Sequence, residues 1–211
     1  MKLYHYYRSS ASYRVRIALN YKNLNYERIP IHLTNHGGEQ YLADYRQLNP
    51  QQLVPVLQID TITLAQSTAI IEYLEECYPT PALLPQDLIA RSVVRGIAQT
   101  IACEIHPLNN LRVLRYLTDT LSIDETQQLQ WYHHWLQLGF DALEQRLQTL
   151  PRQQAVCYGD SPSLGDVYLI PQIYNAHRFN FSMAAYPLLM SIYEHCSSLP
   201  AFAAASPENN Q

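Results

Sequence analysis

The rhythm of apolar and polar positions changes near residue 80. Ahead of that point, short strand-like and helix-like stretches alternate. Lys2–Tyr7 is short and aromatic-rich, which predicts a strand. Residues 10–22 predict a helix, with Val15, Ala18 and Leu19 on one face and Arg14 and Arg16 elsewhere around it. Glu27–Ile31 predicts a second strand and Glu39–Leu48 a weakly patterned helix. Leu53–Ile59 and Thr61–Leu64 form an expected hairpin around Asp60, and Gln66–Cys77 a helix with Ile70, Ile71 and Leu74 on its apolar side. The order β-α-β-α-β-β-α predicts a small mixed sheet covered by helices. Tyr78–Pro85 then carries three prolines in eight residues and cannot continue a helix, so it reads as a linker. Beyond it the period is helical throughout, over about 87–118, 124–149, 164–179 and 187–197. The polar end, Ser206–Gln211, is expected to fray.

Composition narrows the class. The 211 residues are 47% hydrophobic and only 15% charged, which excludes a disordered chain and supports a sizeable core. The net charge is −4 and no block of Lys and Arg occurs, so nucleic acid and anionic membrane are excluded as expected partners. No apolar run approaches the roughly 18 residues of a membrane span, and MKLYHYY lacks the core of a signal peptide. The expectation is a soluble, cytoplasmic protein. Cys77, Cys103, Cys157 and Cys196 make no C-x-x-C pair and read as buried free thiols. His32 and His36 have an i, i+4 spacing, but Gly37-Gly38 follows at once, so they read as solvated loop histidines; no metal is expected.

Several segments carry chemistry, and they come in a telling order. SSASYRVRIAL (Ser9–Leu19) places two serines between the first strand and the first helix, followed by an aromatic-Arg-Val-Arg run. NPQQLVPVL (Asn49–Leu57), QSTAIIEYLEE (Gln66–Glu76), IHPLNNLRVL (Ile105–Leu114) and GDSPSLGDVYLIPQIYNAHRF (Gly159–Phe179) follow. Over nearly the whole chain these resemble the zeta-class glutathione transferases. The resemblance implies a cytosolic glutathione transferase fold: an α/β thioredoxin-like N-terminal domain (1–80) for glutathione and an all-α C-terminal domain (86–211) for substrate. It also implies a homodimer. The family contains maleylacetoacetate isomerase and bacterial maleylpyruvate isomerases, which turn a cis double bond trans with glutathione as a coenzyme. The implied reaction is thiolate addition, bond rotation and elimination on maleylacetoacetate. Maleylpyruvate, or general conjugation of electrophiles or haloacids, is the alternative.

Each motif has its own physics. Serine before a helix is an ordinary N-cap, contributing about 1 kcal/mol. Ser9 also suits thiolate activation. A free thiol has a pKa of about 8.5 and is only about 3% ionised at neutral pH, and a hydroxyl donor plus a helix N-terminus lowers it. The family position assigns Ser9 as that donor with Ser10 in support. Ala11 stands where the family usually has cysteine, so the nucleophile has to come from glutathione. Val54-Pro55 resembles the family's cis-proline junction, whose main chain pairs with the cysteinyl unit of glutathione. Gln66-Ser67 resembles the pair that holds the γ-glutamyl end, at a helix start suited to a carboxylate, with Gln52 nearby. Ser163-Leu164-Gly165-Asp166 has the spacing of a capping box and reads as structural.

A dicarboxylate substrate calls for arginine, whose planar fork matches a carboxylate. Arg8 lies directly before Ser9, Arg178 matches an arginine of the family's substrate pocket, and Arg112 follows Asn109-Asn110 in the segment lining the same cleft. His106 and Asn109 are further candidates there, with a packed role as the competing reading. Arg14 and Arg16 read as structural. The remaining alternative is a non-enzymatic binding module of the same fold. Such proteins lose the activating residue or the γ-glutamyl site, and Ser9, Gln66 and Ser67 are all present.

Overall fold

The structure is a computed structural model that describes all 211 residues except for the side chain of His36. The expected His32–His36 pair therefore lies in part outside the described residues. The chain divides into two compact units, Met1–Leu83 with Ser198–Gln211, and Leu84–Ser197.

In the first unit β1 (Lys2–His5) is followed by α1 (Ser10–Tyr21), β2 (Glu27–Pro30), α2 (Ala43–Leu48), β3 (Val56–Ile59), β4 (Ile62–Ala65) and α3 (Ser67–Cys77). The sheet order is β2-β1-β3-β4 among the described residues. β2 runs parallel to β1, while β3 and β4 are antiparallel to their neighbours. Period two sorts the side chains: Leu3 pairs with Leu57 on one face and Tyr4 with Val56 on the other. The Tyr4 face packs against Tyr45 and Leu48 of α2, with Val54 and Ile31 completing the cluster. Every predicted strand and helix of this unit is present. The weak pattern over 39–48 resolves into a 3-10 turn at Glu39–Tyr41 and the short α2.

Two features rest on partners distant in sequence: the first agrees with the structural reading of Arg16, and the second overturns the expected frayed tail. Arg14 and Arg16, placed off the apolar face of the first helix, are buried. Arg16 is satisfied by main chain: Nη2 donates to Tyr7 O at 2.9 Å and Nε to Ala205 O at 2.9 Å. The latter acceptor belongs to α9 (Pro200–Ala205), which follows the last helix of the second unit and packs on α1. The tail expected to fray is held as well. Asn210 is buried, accepts from Arg28 Nη1 at 2.8 Å and donates to Ser206 O at 2.7 Å. The Pro-rich linker is anchored by Lys22, whose buried Nζ meets Glu75 at 2.7 Å and donates to the carbonyls of Tyr78 and Pro81.

The second unit holds α4 (Leu88–Gln99), a π-helical turn (Thr100–Ile105), α5 (Leu111–Asp119), α6 (Glu125–Gln148), α7 (Leu164–Arg178) and α8 (Pro187–Ser198), whose last residue opens the returning segment of the first unit. The single helix predicted over 87–118 is thus two helices. Pro107 has no N–H to continue the ladder, and Asn110 starts α5 by accepting from Arg112 N at 3.1 Å. The π-turn packs closely on α6, where a Cβ at Gly139 would run into the Ile105 side chain. α8 begins on a carboxylate from α6: Glu144 accepts from Leu188 N and Leu189 N at 3.0 Å each. The Ser163–Asp166 box caps α7 as expected. The buried Asp166 carboxylate accepts from Ser163 N at 2.7 Å, Ser163 Oγ at 2.8 Å and Cys157 N at 2.8 Å. Burial pushes its pKa up and these donors pull it back. Cys157 and Cys196 are buried beside it, but Cys77 and Cys103 are exposed, against expectation. Among the described residues no helix is long and apolar enough to cross a membrane.

Candidate active site

In the first unit the Ser9 turn is built by local bonds. β1 ends at His5. Ser9 N donates to Tyr6 O at 3.0 Å, and Ser12 Oγ accepts from Tyr6 N at 3.4 Å. Ser9 is the N-cap of α1, and its Oγ accepts from Ser12 N at 3.2 Å. The capping reading and the thiolate reading are therefore compatible. A hydroxyl has one proton besides its acceptor positions, and capping uses only an acceptor position. Ser9 is half-buried and Ser10, the first residue of α1, is buried. Arg16 supports this turn from behind through the Tyr7 carbonyl, a contribution that the apolar pattern of α1 concealed. Arg8 is exposed, its guanidinium 5.1 Å from the Tyr7 ring centre.

The segment before β3 is pinned by two side chains. Tyr45 Oη and Asn49 Nδ2 both donate to Leu53 O, at 2.7 and 2.8 Å. The Val54–Pro55 bond is cis, and Val54 is buried. At the start of α3, Gln66 is the cap residue with φ 73°, a left-handed backbone, and no side-chain hydrogen bond caps the helix. Ser67 is the buried first residue of α3 rather than its cap. Gln66 Nε2 donates to Gln51 Oε1 at 2.8 Å, so the loop residue that reaches Gln66 is Gln51. Gln52 follows it with φ 57°. Nothing in the spacing distinguished Gln51 from Gln52. Gln51, Gln52, Val54 and Pro55 thus form one loop, joined to the start of α3 through Gln66.

The remaining candidates belong to the second unit. Arg178 ends α7 and is exposed. Its Nη1 donates to Asn175 Oδ1 at 3.0 Å, and its guanidinium lies 5.8 Å from the Phe179 ring centre. Arg112 is exposed in the first turn of α5, and His106 is half-buried. Asn109 is only 9% exposed, and its Nδ2 donates to the Tyr132 carbonyl at 3.1 Å. The packed reading of Asn109 is the one its geometry supports. Among the described residues, no group of three or more His, Cys, Asp or Glu side chains is placed to hold a metal ion.

Over nearly its whole length the chain is similar to known proteins. Residues 3–82 match the family described as "Glutathione S-transferase, N-terminal domain". A "Probable maleylacetoacetate isomerase" of Vibrio cholerae is 49% identical over 207 residues, 98% of this chain and 95% of that protein. A solved holo structure of maleyl pyruvate isomerase, described as a bacterial zeta-class glutathione S-transferase, is 45% identical with a TM-score of 0.96, covering 99% of this chain and 98% of that one. The maleylacetoacetate isomerase of Methylobacterium extorquens AM1, solved with malonate and glutathione bound, is 36% identical with a TM-score of 0.94, covering 99% and 97%. The chain belongs to the glutathione transferase family. Within it, the chain falls in the zeta class with the maleylacetoacetate and maleylpyruvate isomerases.

Proposed function

We propose that this chain is a glutathione-dependent cis–trans isomerase of maleylacetoacetate, with maleylpyruvate as the alternative substrate. The observation that carries the reading is the Ser9 hydroxyl, held at the N-terminus of α1 with its proton still to donate. The residues of the first unit suit a thiol tripeptide. Ser9 donates toward sulfur, Val54 offers main chain beside the cis Pro55, and the uncapped start of α3 at Gln66-Ser67 suits the γ-glutamyl carboxylate. Gln51 and Gln52 border that carboxylate position.

Glutathione, when bound, supplies a thiolate that adds reversibly to the cis double bond. Ser9 and the dipole of α1 hold that sulfur ionised, with Ser10 in support. Arg8, Arg112 and Arg178 are assigned to the substrate's carboxylate and carbonyl oxygens, where fixed positive charge stabilises negative charge as it develops. His106 is assigned to the same substrate. The work of the protein is orientation and charge. The first unit is the proposed glutathione-binding domain and the second the proposed substrate domain. The compartment we assign is the cytoplasm, where glutathione is kept reduced. The proposed assembly is a twofold homodimer, supported by Leu88 at 80% and Ile89 at 76% exposure on α4.

The test compares two electrophiles. With Arg178→Ala, KM for the cis diacid should rise more than kcat falls, because a carboxylate contact is made in ground and transition states alike. Conjugation of chlorodinitrobenzene, which has no carboxylate, should be indifferent to the change. Equal damage to both reactions would remove the dicarboxylate assignment.

A further inference from the structure

α6 touches both stretches that carry the proposed substrate residues, and it does so with three consecutive residues. Trp131 Nε1 donates to Leu108 O at 2.8 Å. The Tyr132 carbonyl accepts from Asn109 Nδ2 at 3.1 Å. Both contacts pin the His106–Asn110 turn that leads into Arg112. On the other side, the Tyr132 ring stacks on Phe179 with centres 3.8 Å apart and planes 16° from parallel. His133 Nε2 lies 2.8 Å from Phe179 O, and a carbonyl can only accept, so Nε2 carries the proton. Phe179 follows Arg178 directly and lies against its guanidinium. The Arg178 charge also reaches the Tyr132 phenol: burial pushes that phenol's pKa up and the guanidinium opposes the rise.

We infer that Trp131, Tyr132 and His133 are positioning residues that set the spacing between Arg112 and Arg178, and through it the preference for a dicarboxylate of one length. The inference rests on the proposed carboxylate binding by these arginines. Ordinary core packing needs only apolar contact. Here three of the four contacts are hydrogen bonds that involve main-chain carbonyls, and they end on the two stretches in question. A helix is a stiff rod, so one turn of α6 holds the turn before α5 and the end of α7 in a single register. Placing a charged clamp wrongly by about 1 Å is costly, so such a register has consequences for substrate choice.

His133→Phe is the central test. It keeps an aromatic ring against Phe181, which His133 meets edge-on at 5.3 Å, and removes only the donor to Phe179 O. KM for the cis diacid should rise about three- to ten-fold, the worth of one ordinary hydrogen bond. The kcat and chlorodinitrobenzene conjugation should stay as they are, while the melting temperature falls only by the small amount that one lost hydrogen bond entails. Competitive inhibition by malonate, succinate and glutarate should lose its length ranking. His133→Gln, which restores an N–H donor, should recover KM and ranking. Trp131→Phe removes the donor to Leu108 O and should show the same pattern, independently of His133. A KM rise with Arg178→Ala but none with either variant overturns the inference and leaves the substrate reading intact. Parallel losses in both reactions and in melting temperature also overturn it, since that is the signature of packing. No KM change with Arg178→Ala removes the reading on which the inference stands, and the inference with it.

Discussion

The Ser9 hydroxyl accepts the amide proton of Ser12 at 3.2 Å, so it starts α1 through an acceptor position alone, which is compatible with its proposed second role as thiolate donor. The two roles are separable by substitution. Ser9→Ala should lower the isomerisation kcat about 10²–10³-fold, as loss of a preorganised donor does. It should also cost about 1 kcal/mol of stability as a lost cap. Ser9→Asp keeps a capping oxygen but offers no proton to a thiolate. It should restore the melting temperature and leave kcat low. Full activity in Ser9→Asp would show that Ser9 is a cap alone.

Ala11 removes the nearest candidate thiol from the Ser9 turn. Isomerisation should therefore vanish in gel-filtered protein and return on addition of glutathione. Turnover without any thiol, measured on protein shown by mass spectrometry to carry none, would contradict this.

His5 makes stability depend on pH. It is buried, and Arg16 Nη1 lies 3.3 Å from its Nδ1, so the ring accepts there and stays neutral. Burial first, then the charges of Arg16 and Arg28, push its pKa from 6.5 down to about 4. The unfolded chain takes up the proton near 6.5 and the folded chain resists until about 4. The contribution is thus whole above about pH 6.5 and is lost as pH falls toward 4, reaching about 3 kcal/mol at most. Denaturant midpoints between pH 7 and pH 4 should fall in the wild type and fall less in His5→Gln. An equal fall in both would assign the loss to other groups.

Lys22 and Glu75 form a buried pair at 2.7 Å, and Glu75 also accepts from Leu83 N at 3.1 Å. Lys22→Met leaves that carboxylate without its cation and should cost about 3–5 kcal/mol, while the double change Lys22→Met with Glu75→Leu should cost less than the single one. Urea unfolding of the three proteins measures this directly. If the double variant proves less stable than the single one, the carboxylate's link to the linker matters more than its charge.

Light scattering at micromolar concentration should give about twice the chain mass of 24.4 kDa. Leu88→Lys with Ile89→Lys should shift the protein to monomer, because two charges on an apolar interface are not solvated there. A wild-type monomer would remove the proposed assembly.

What the sequence determined by itself is local. Period two and period 3.6 placed most strands and helices to within a few residues, because side-chain direction repeats with the backbone, but they ran α4 and α5 together and gave no sign of α9. The turn from β1 into α1, with Ser9 at its corner, was legible because a cap bonds only three residues on. The segments around Ser9, Val54-Pro55, Gln66-Ser67 and Arg178 were legible together because their order along the chain matches the zeta class. The tertiary structure decided the rest, and each case involves a partner distant in sequence. Arg16 reads as structural from its place in α1, but only the fold shows what it holds: Ala205, 189 residues away, accepts its Nε proton. The end of the chain looks like a frayed tail until α9 packs on α1 and Asn210 meets Arg28. The grip of Trp131–His133 on two remote stretches shows in no periodicity, since the acceptors are main-chain carbonyls common to every residue type. A sequence states how polar a side chain is, but the cost of burying it depends on which acceptors the fold brings within about 3 Å.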